Sequence, residues 1–286
     1  MRYIGQHPRV AQTGLSATGH EADRPDGTSP CKVVPTCGGT PVCSFEPPAR
    51  SAKKRSVCPR VFPGFSPLHL LPGGKLGFTP ATEEGFDEYV SDPAKPVPVL
   101  AGIGSGMPYD YLTYDQRFAS RRTDVLAYQT EPLESDVTIA GPVTPSLRVS
   151  TSGTDSDFIV KLIDVYPNDY PNPDPNPAKV QMGGYQQLVR GEPFRGKFRN
   201  SPSKPEPFVP GKPAKIEFGM PDICHTFRTG HRIMVQIQSS WFPLVDLNPQ
   251  QFVDIPTAKA QDFRKAVERI YRGGQNGSRL GVQVIQ

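Results

Sequence analysis

Apolar and polar residues alternate with a period of two in a series of short runs along the chain. The clearest lies in Phe227–Asp246, where Ile233, Val235 and Ile237 alternate with Met234, Gln236 and Gln238. That is the period of a strand with one face buried and the other partly wet. Gly230 marks a turn before it, and Pro243 beyond it lacks the N–H that further ladder pairing needs. The lone Trp of the chain, Trp241, closes the run, so Ile233, Val235, Ile237 and Trp241 are the expected core. Further short runs, β-branched or aromatic, stand at Val125–Gln129, Val137–Ile139, Ser146–Ser150, Phe158–Tyr166 and Leu188–Arg190, and Ala214–Phe218 alternates cleanly, with Pro, Gly, Asp and Ser between the runs. Strands at this spacing predict a mainly β domain of sandwich type rather than alternating βα units.

The remaining segments follow from their turn and breaker residues. His69–Phe78 reads as a hairpin around Gly73-Gly74. Thr82–Pro98 is too rich in proline for a helix and reads as an extended linker. Asn168–Pro177 is an Asn/Pro/Asp loop. Phe194–Arg199 interleaves cations with aromatics, a pattern that can bind a nucleic-acid strand; at this length it reads as a half-buried strand whose charges face water. Thr257–Lys265 reads as a short helix capped by Thr257, with Ala260 and Phe263 facing inward. Val267–Arg272 and Leu280–Val284 read as a closing hairpin.

Composition divides the chain. Its 286 residues include 34 Pro and 27 Gly, and the formal charge is +4. Residues 1–67 hold nine Lys or Arg against four Asp or Glu, which leaves 23 against 24 in the rest. The basic excess therefore sits in a segment without periodicity, whose composition buries too little apolar surface to offset the entropy of ordering. It is no argument for nucleic acid, and Lys53-Lys54-Arg55 reads as a solvated run. The expected organisation is an irregular segment 1–67, a hairpin and linker 68–108, and a β domain 109–286. No signal-peptide core precedes Val10, and no run of eighteen apolar residues exists for a membrane helix.

Candidate chemistry is sparse. Cys31, Cys37, Cys43 and Cys58 lack paired CxxC spacing, so no zinc site is expected. Cys224 stands beside His225, but neighbours on a strand point to opposite faces, and Cys224 reads as a packing residue. A GxSxG nucleophile turn is absent: Gly14–Thr18 lacks its final Gly, and in Gly102–Gly106 the Ser comes one place late. His225 and His231 lie six residues apart with no third ligand in view, and Asp155, Asp157 and Asp164 lack EF-hand spacing. No metal, no cofactor and no catalytic residue are expected.

Several phrases in order carry a resemblance: Tyr114-Asp115-Gln116-Arg117, Arg122–Leu126, Thr130–Leu133, Val137–Gly141, Asp157–Pro167, Phe194-Arg195-Gly196, Gly230–Gln236, Ser239–Pro243 and Asn248-Pro249. From about Leu68 onward the chain resembles the C-terminal domain of the CocE/NonD hydrolases, which is similar to that of the Xaa-Pro dipeptidyl-peptidases. Met182-Gly183-Gly184-Tyr185 leans toward the α-amino-acid ester hydrolases. The resemblance implies a jelly-roll β-sandwich of the galactose-binding-like kind. In complete relatives this packs against an α/β-hydrolase domain that carries Ser, Asp and His. That catalytic domain has no counterpart in residues 1–67, as a truncated or frame-shifted reading frame would explain, so no triad residue is assigned; neither His20 nor His69 is supported. Relatives bring the loop Gly102–Tyr111 near the substrate cleft, which makes Met107, Tyr109 and Tyr111 candidate lip residues. Two functions stay open: part of a serine hydrolase of esters or peptides, inactive alone, or a stand-alone binding module, for carbohydrate by fold analogy.

Overall fold

Two extended segments of the chain, Asp157–Val165 and Arg232–Gln238, pair along a seven-residue register, and the computed structural model describes residues 65–102 and 111–285. The clustered cysteines, Lys53–Arg55, His20, Met107 and Tyr109 lie outside the described residues. In chain order the strands are β1 (Phe65–Leu71), β2 (Lys75–Gly77), β3 (Gly85–Ser91), β4 (Leu126–Gln129), β5 (Val137–Thr151), β6 (Asp157–Val165), β7 (Gln186–Arg195), β8 (Ala214–Glu217), β9 (Met220–Phe227), β10 (Arg232–Gln238), β11 (Ala266–Arg272) and β12 (Arg279–Ile285). A single short helix, α1 (Arg117–Ser120), joins several 3-10 turns among the described residues. The domain is mainly β, as the alternation predicts.

Hydrogen bonding links the strands in the order β3-β11-β5-β12-β1-β2-β4-β10-β6-β7, with β8 and β9 also paired to β5. Every pairing is antiparallel except one parallel contact between β2 and β4. The hairpin at His69–Phe78 forms, with Leu70 opposite Leu76. Strand β5 is fifteen residues long and runs through Gly141-Pro142 and Pro145, which read in the sequence as separators of two strands. It continues because Gly141 takes φ +103° at a register shift against β9, a left-handed conformation that only glycine adopts without strain, and the ladder resumes beyond it.

Three further expectations are corrected. The stretch read as a linker contains β3, which pairs with β11 over its whole length; the prolines stand on either side of it and leave Gly85–Ser91 free to donate. Strands β11 and β12 form but do not pair as a hairpin: β5 lies between them and accepts one on each side. Thr257–Lys265 is not a helix but follows the 3-10 turn Ile255–Thr257 with another at Ala260–Asp262. Thr257 donates its hydroxyl back to Asp254, so it caps nothing after it, and Ala260 is exposed.

The main core gathers Leu68, Leu70, Ile139, Val149, Phe158, Val160, Leu162, Ile216, Phe227, Ile233, Val235 and Ile237 among others. A second apolar cluster lies on the other face of β6 and β10: Ile159, Ile163, Val165 and Met234, with Val99, Leu188 and Trp241. The face of β10 expected to be partly wet is therefore covered, and Met234, Gln236 and Gln238 are all buried. Its cover is two crossing segments. Val99 N–H donates to Phe242 O at 2.8 Å and Phe242 N–H to Val97 O at 3.0 Å, while Val97 N–H donates to Ser240 Oγ at 2.8 Å. Trp241 is thereby pressed onto the sheet. A Cβ at Gly191 would stand 2.8 Å from the Trp241 ring, so glycine there admits the indole.

Trp241 fills the centre of the second cluster, and Trp241→Ala leaves a cavity that the crossed backbone segments cannot close. The variant is expected to lose about 3–5 kcal/mol in a urea melt. A midpoint unchanged from the parent would show that the indole is not part of the core.

Candidate functional site

Doubly buried strands leave their polar side chains with few partners, and three such groupings stand out. The first lies under Trp241. Lys161, on β6, is fully buried opposite Gln236 of β10. Its Nζ donates to Gln116 Oε1 at 3.1 Å and sits 4.7 Å from the centre of the Trp241 ring, an ammonium-over-indole contact. Among the described residues no carboxylate bonds it, and burial lowers its pKa from 10.5 to about 7. Gln236 Oε1, Gln238 Oε1 and Trp241 Nε1 are buried without a protein partner.

The second grouping is acidic. Asp155, Asp157 and Glu268 are all buried, from the start of β6 and from β11. Arg195 reaches Asp157 at 3.3 Å and Asp246 at 2.5 Å, Lys197 comes within 3.7 Å of Asp155, and Asn248 donates to Asp157 at 2.8 Å. Glu268 has no cation: Thr151 donates to its Oε1 at 2.9 Å, and its Oε2 is orphaned. Burial pushes the Glu268 carboxyl up to about 8 and that of Asp157 to about 6, with Arg195 opposing the shift at Asp157. Asp155 is raised by burial too, against the pull of Lys197. The cluster pins the segment Asn248–Gln250 across the ends of β6 and β11.

The third grouping joins the two histidines. Asp164, buried on β6, accepts from or faces His231 Nδ1 at 2.8 Å and His225 Nε2 at 2.9 Å, one carboxylate oxygen to each. Tyr166 packs 4.5 Å from the His231 ring, and Tyr170 edges onto both. Beside this wall opens a cleft of about 660 Å³, lined by residues of α1, the end of β4, the β6–β7 connection and the start of β10. Among the described residues neither imidazole is hydrogen-bonded to a serine or cysteine, the nucleophile–base contact of acyl-transfer sites. Among the described residues no three His, Cys, Asp or Glu side chains gather to hold a metal.

Tyr111 of the expected lip lies edge-on to Trp241, with ring centres 6.1 Å apart. Ile233, Val235 and Ile237 face the main core, whereas Trp241 belongs to the second cluster, so the sheet separates residues that the sequence groups together. Cys224 is exposed rather than packed: β9 turns Ile223 and Phe227 inward and Cys224 out. In Phe194–Arg199 the strand ends at Arg195, and a 3-10 turn swings Lys197 into the carboxylate cluster instead of toward water. Sequence reasoning missed Lys161, Glu268 and the joining of His225 and His231 through Asp164. The signal for Lys161 was a lone cation in the apolar run Phe158–Ile163.

The described residues form a mainly β domain with buried polar layers. The family described as "X-Pro dipeptidyl-peptidase C-terminal non-catalytic domain" matches residues 45–281, and the chain belongs to it. Over 214 residues the chain is 34% identical to the cocaine esterase of Rhodococcus sp. (strain MB1 Bresler), covering 75% of itself and 35% of that protein. Among solved structures it is similar to an aminopeptidase from a marine sediment Thaumarchaeota archaeon, at 43% identity and TM-score 0.71, covering 78% of this chain and 37% of that one. It is similar also to an α-amino acid ester hydrolase, at 44% identity and TM-score 0.70, covering 77% and 36% respectively. The chain thus spans about a third of the length of these relatives, hydrolases of the CocE/NonD kind.

Glu268 makes stability depend on pH. The folded chain keeps the Glu268 proton up to about pH 8, whereas an unfolded chain releases it near the ordinary 4.5. Its contribution is full below about 4.5 and is lost as pH rises through 8, a change on the order of a few kcal/mol. Glu268→Gln keeps an acceptor for Thr151 and removes the ionisation. Thermal melts from pH 5 to 9 are expected to show the variant gaining on the parent as pH rises. Parallel curves would mean that Glu268 ionises in place without cost.

Proposed function

We propose that the chain serves as the C-terminal domain of a serine hydrolase of the CocE/NonD and Xaa-Pro dipeptidyl-peptidase type. In this role it packs against an α/β-hydrolase domain, stabilises it and supplies part of the wall around the substrate, and it is inactive toward esters and peptides alone. The observation that carries the reading is the surface over the second cluster. Leu112, Tyr114, Phe242 and Leu244 are large apolar side chains left exposed on the segments that bracket Tyr111 and Trp241. Large apolar side chains exposed together on neighbouring segments mark surfaces that meet a partner. The lip residues Met107, Tyr109 and Tyr111 belong to the same stretch of chain, and the reading gives them to the edge of the substrate cleft. The ester- and peptide-hydrolase names of the relatives support carboxylic esters or amides as the substrate class.

A second reading, a stand-alone binding module, draws on the cleft beside Tyr166, which is open to solvent and mostly polar. It needs no partner domain.

Association separates the two. The separately expressed catalytic portion of the α-amino acid ester hydrolase, mixed with this chain, is expected to co-elute with it in gel filtration. Phe242→Glu with Leu244→Glu, both at exposed positions, is expected to abolish co-elution without changing the chain's own melt. The chain alone is expected to leave p-nitrophenyl acetate and a chromogenic Xaa-Pro substrate unhydrolysed. Turnover by the chain alone that a serine-directed phosphonate blocks would contradict inactivity, and a failure to associate would favour the module.

A further inference from the structure

The cleft beside Tyr166 is built from segments far apart in sequence, and its walls are fixed. On one side Arg117 ties α1 to the β6–β7 connection, donating to Gly183 O at 2.9 Å and Gln181 O at 2.8 Å while paired with Asp115. On the other, Tyr166 donates its hydroxyl to Gln187 Oε1 at 2.7 Å and rests on His231, itself held by Asp164. Arg232, at the third wall, donates to Thr130 O at 2.8 Å and reaches Glu131 at 3.4 Å. A volume of about 660 Å³ falls in the range of small-molecule sites.

Two charged groups of the lining are left over when these are paired off. The side chains of Arg121 and Asp169 make no hydrogen bond or ion pair with any described residue, Arg121 using only its backbone N–H, which donates to Ala119 O. Arg121 comes from the end of α1 and Asp169 from the β6–β7 connection, and both line the same cleft. The same lining includes apolar surfaces, Pro132, Val165, Tyr166 and Pro167, and the amide of Gln186, whose Nε2 has no acceptor among the described residues. Arg offers a planar fork of donors that matches a carboxylate, and Asp accepts from an ammonium.

We propose that this cleft binds a zwitterionic α-amino acid with an apolar side chain. Arg121 takes the carboxylate, Asp169 takes the ammonium, and the side chain lies against Tyr166 and the prolines. The assignment stands on the groups of the cleft and is independent of the hydrolase reading. A ligand with one charge leaves the opposite protein charge without its partner, so both charges contribute to recognition.

The test is a titration of the full chain with L-phenylalanine at low ionic strength, followed by amide chemical shifts. The expected result is saturable shifts confined to Tyr166, Gly183, Gly184 and Gly230. N-acetyl-phenylalanine, which keeps only the carboxylate, and phenethylamine, which keeps only the ammonium, are each expected to bind about tenfold or more weakly, as is glucose. Arg121→Ala and Asp169→Asn, both surface changes, are expected to lose the shifts while the melting temperature stays put. Absence of saturation with phenylalanine would overturn the proposal. Equal binding of N-acetyl-phenylalanine, equal binding of glucose, or undiminished binding by either variant would overturn it too.

Discussion

Everything in this fold depends on the pairing of β6 with β10, because that pair is covered on both faces. Seven residue pairs join the strands, from Arg232 with Val165 to Gln238 with Ile159. Alternate side chains then enter two separate apolar clusters, the main core on one side and the Trp241 cluster on the other. Burial of each aliphatic side chain contributes about 1.5–3 kcal/mol, and strands sealed on both faces gain it from every position. The cost falls on the polar residues in the same strands, which lose water without leaving the ladder.

That cost explains where the polar groupings lie. Lys161, Asp164, Gln236 and Gln238 are the polar members of β6 and β10 beyond Arg232 and Asp157, and each is buried. Asp164 is met by two imidazoles, Lys161 by an amide oxygen and an indole face, and Gln236 by Gln186. Carboxylates at the far end of β6 take up Arg195 and Lys197, and Glu268 instead holds its proton. These are the features of a scaffold with one arrangement, since a polar layer that is only partly matched disfavours alternative packings. His225 and His231 are both held by Asp164, and among the described residues neither is hydrogen-bonded to a serine or cysteine. The family to which the chain belongs is described as non-catalytic.

Much of the fold was legible in the sequence, and the reasons for the rest are physical. The period of Ile233, Val235 and Ile237 placed β10, and the hairpin at Gly73-Gly74 formed as its turn chemistry requires. Period two reports that a strand has two unlike faces, but it does not tell whether the polar face meets water or another polar layer. Gln236 and Gln238 read as wet for that reason, when Trp241 and the Val97–Leu100 segment seal them. Pairing is also invisible to local pattern: β11 and β12 alternate correctly, yet they flank β5 rather than each other. Proline and glycine inside β5 looked like breaks because a bulge at Gly141 absorbs them. The site was less legible still, since Asp164 and the histidines meet only through strand pairing, and Arg121 and Asp169 line one cleft although 48 residues separate them in the chain.

The claim at the centre of this account is that β6 and β10 form the least yielding part of the molecule. Native-state hydrogen exchange measures it directly. The amides of Val160, Leu162, Val235 and Ile237 are predicted to exchange only through global unfolding, with the free energy found in denaturant, while those of the edge strand β3 open at lower cost. Exchange in β6 and β10 as fast as in β3 would contradict the account.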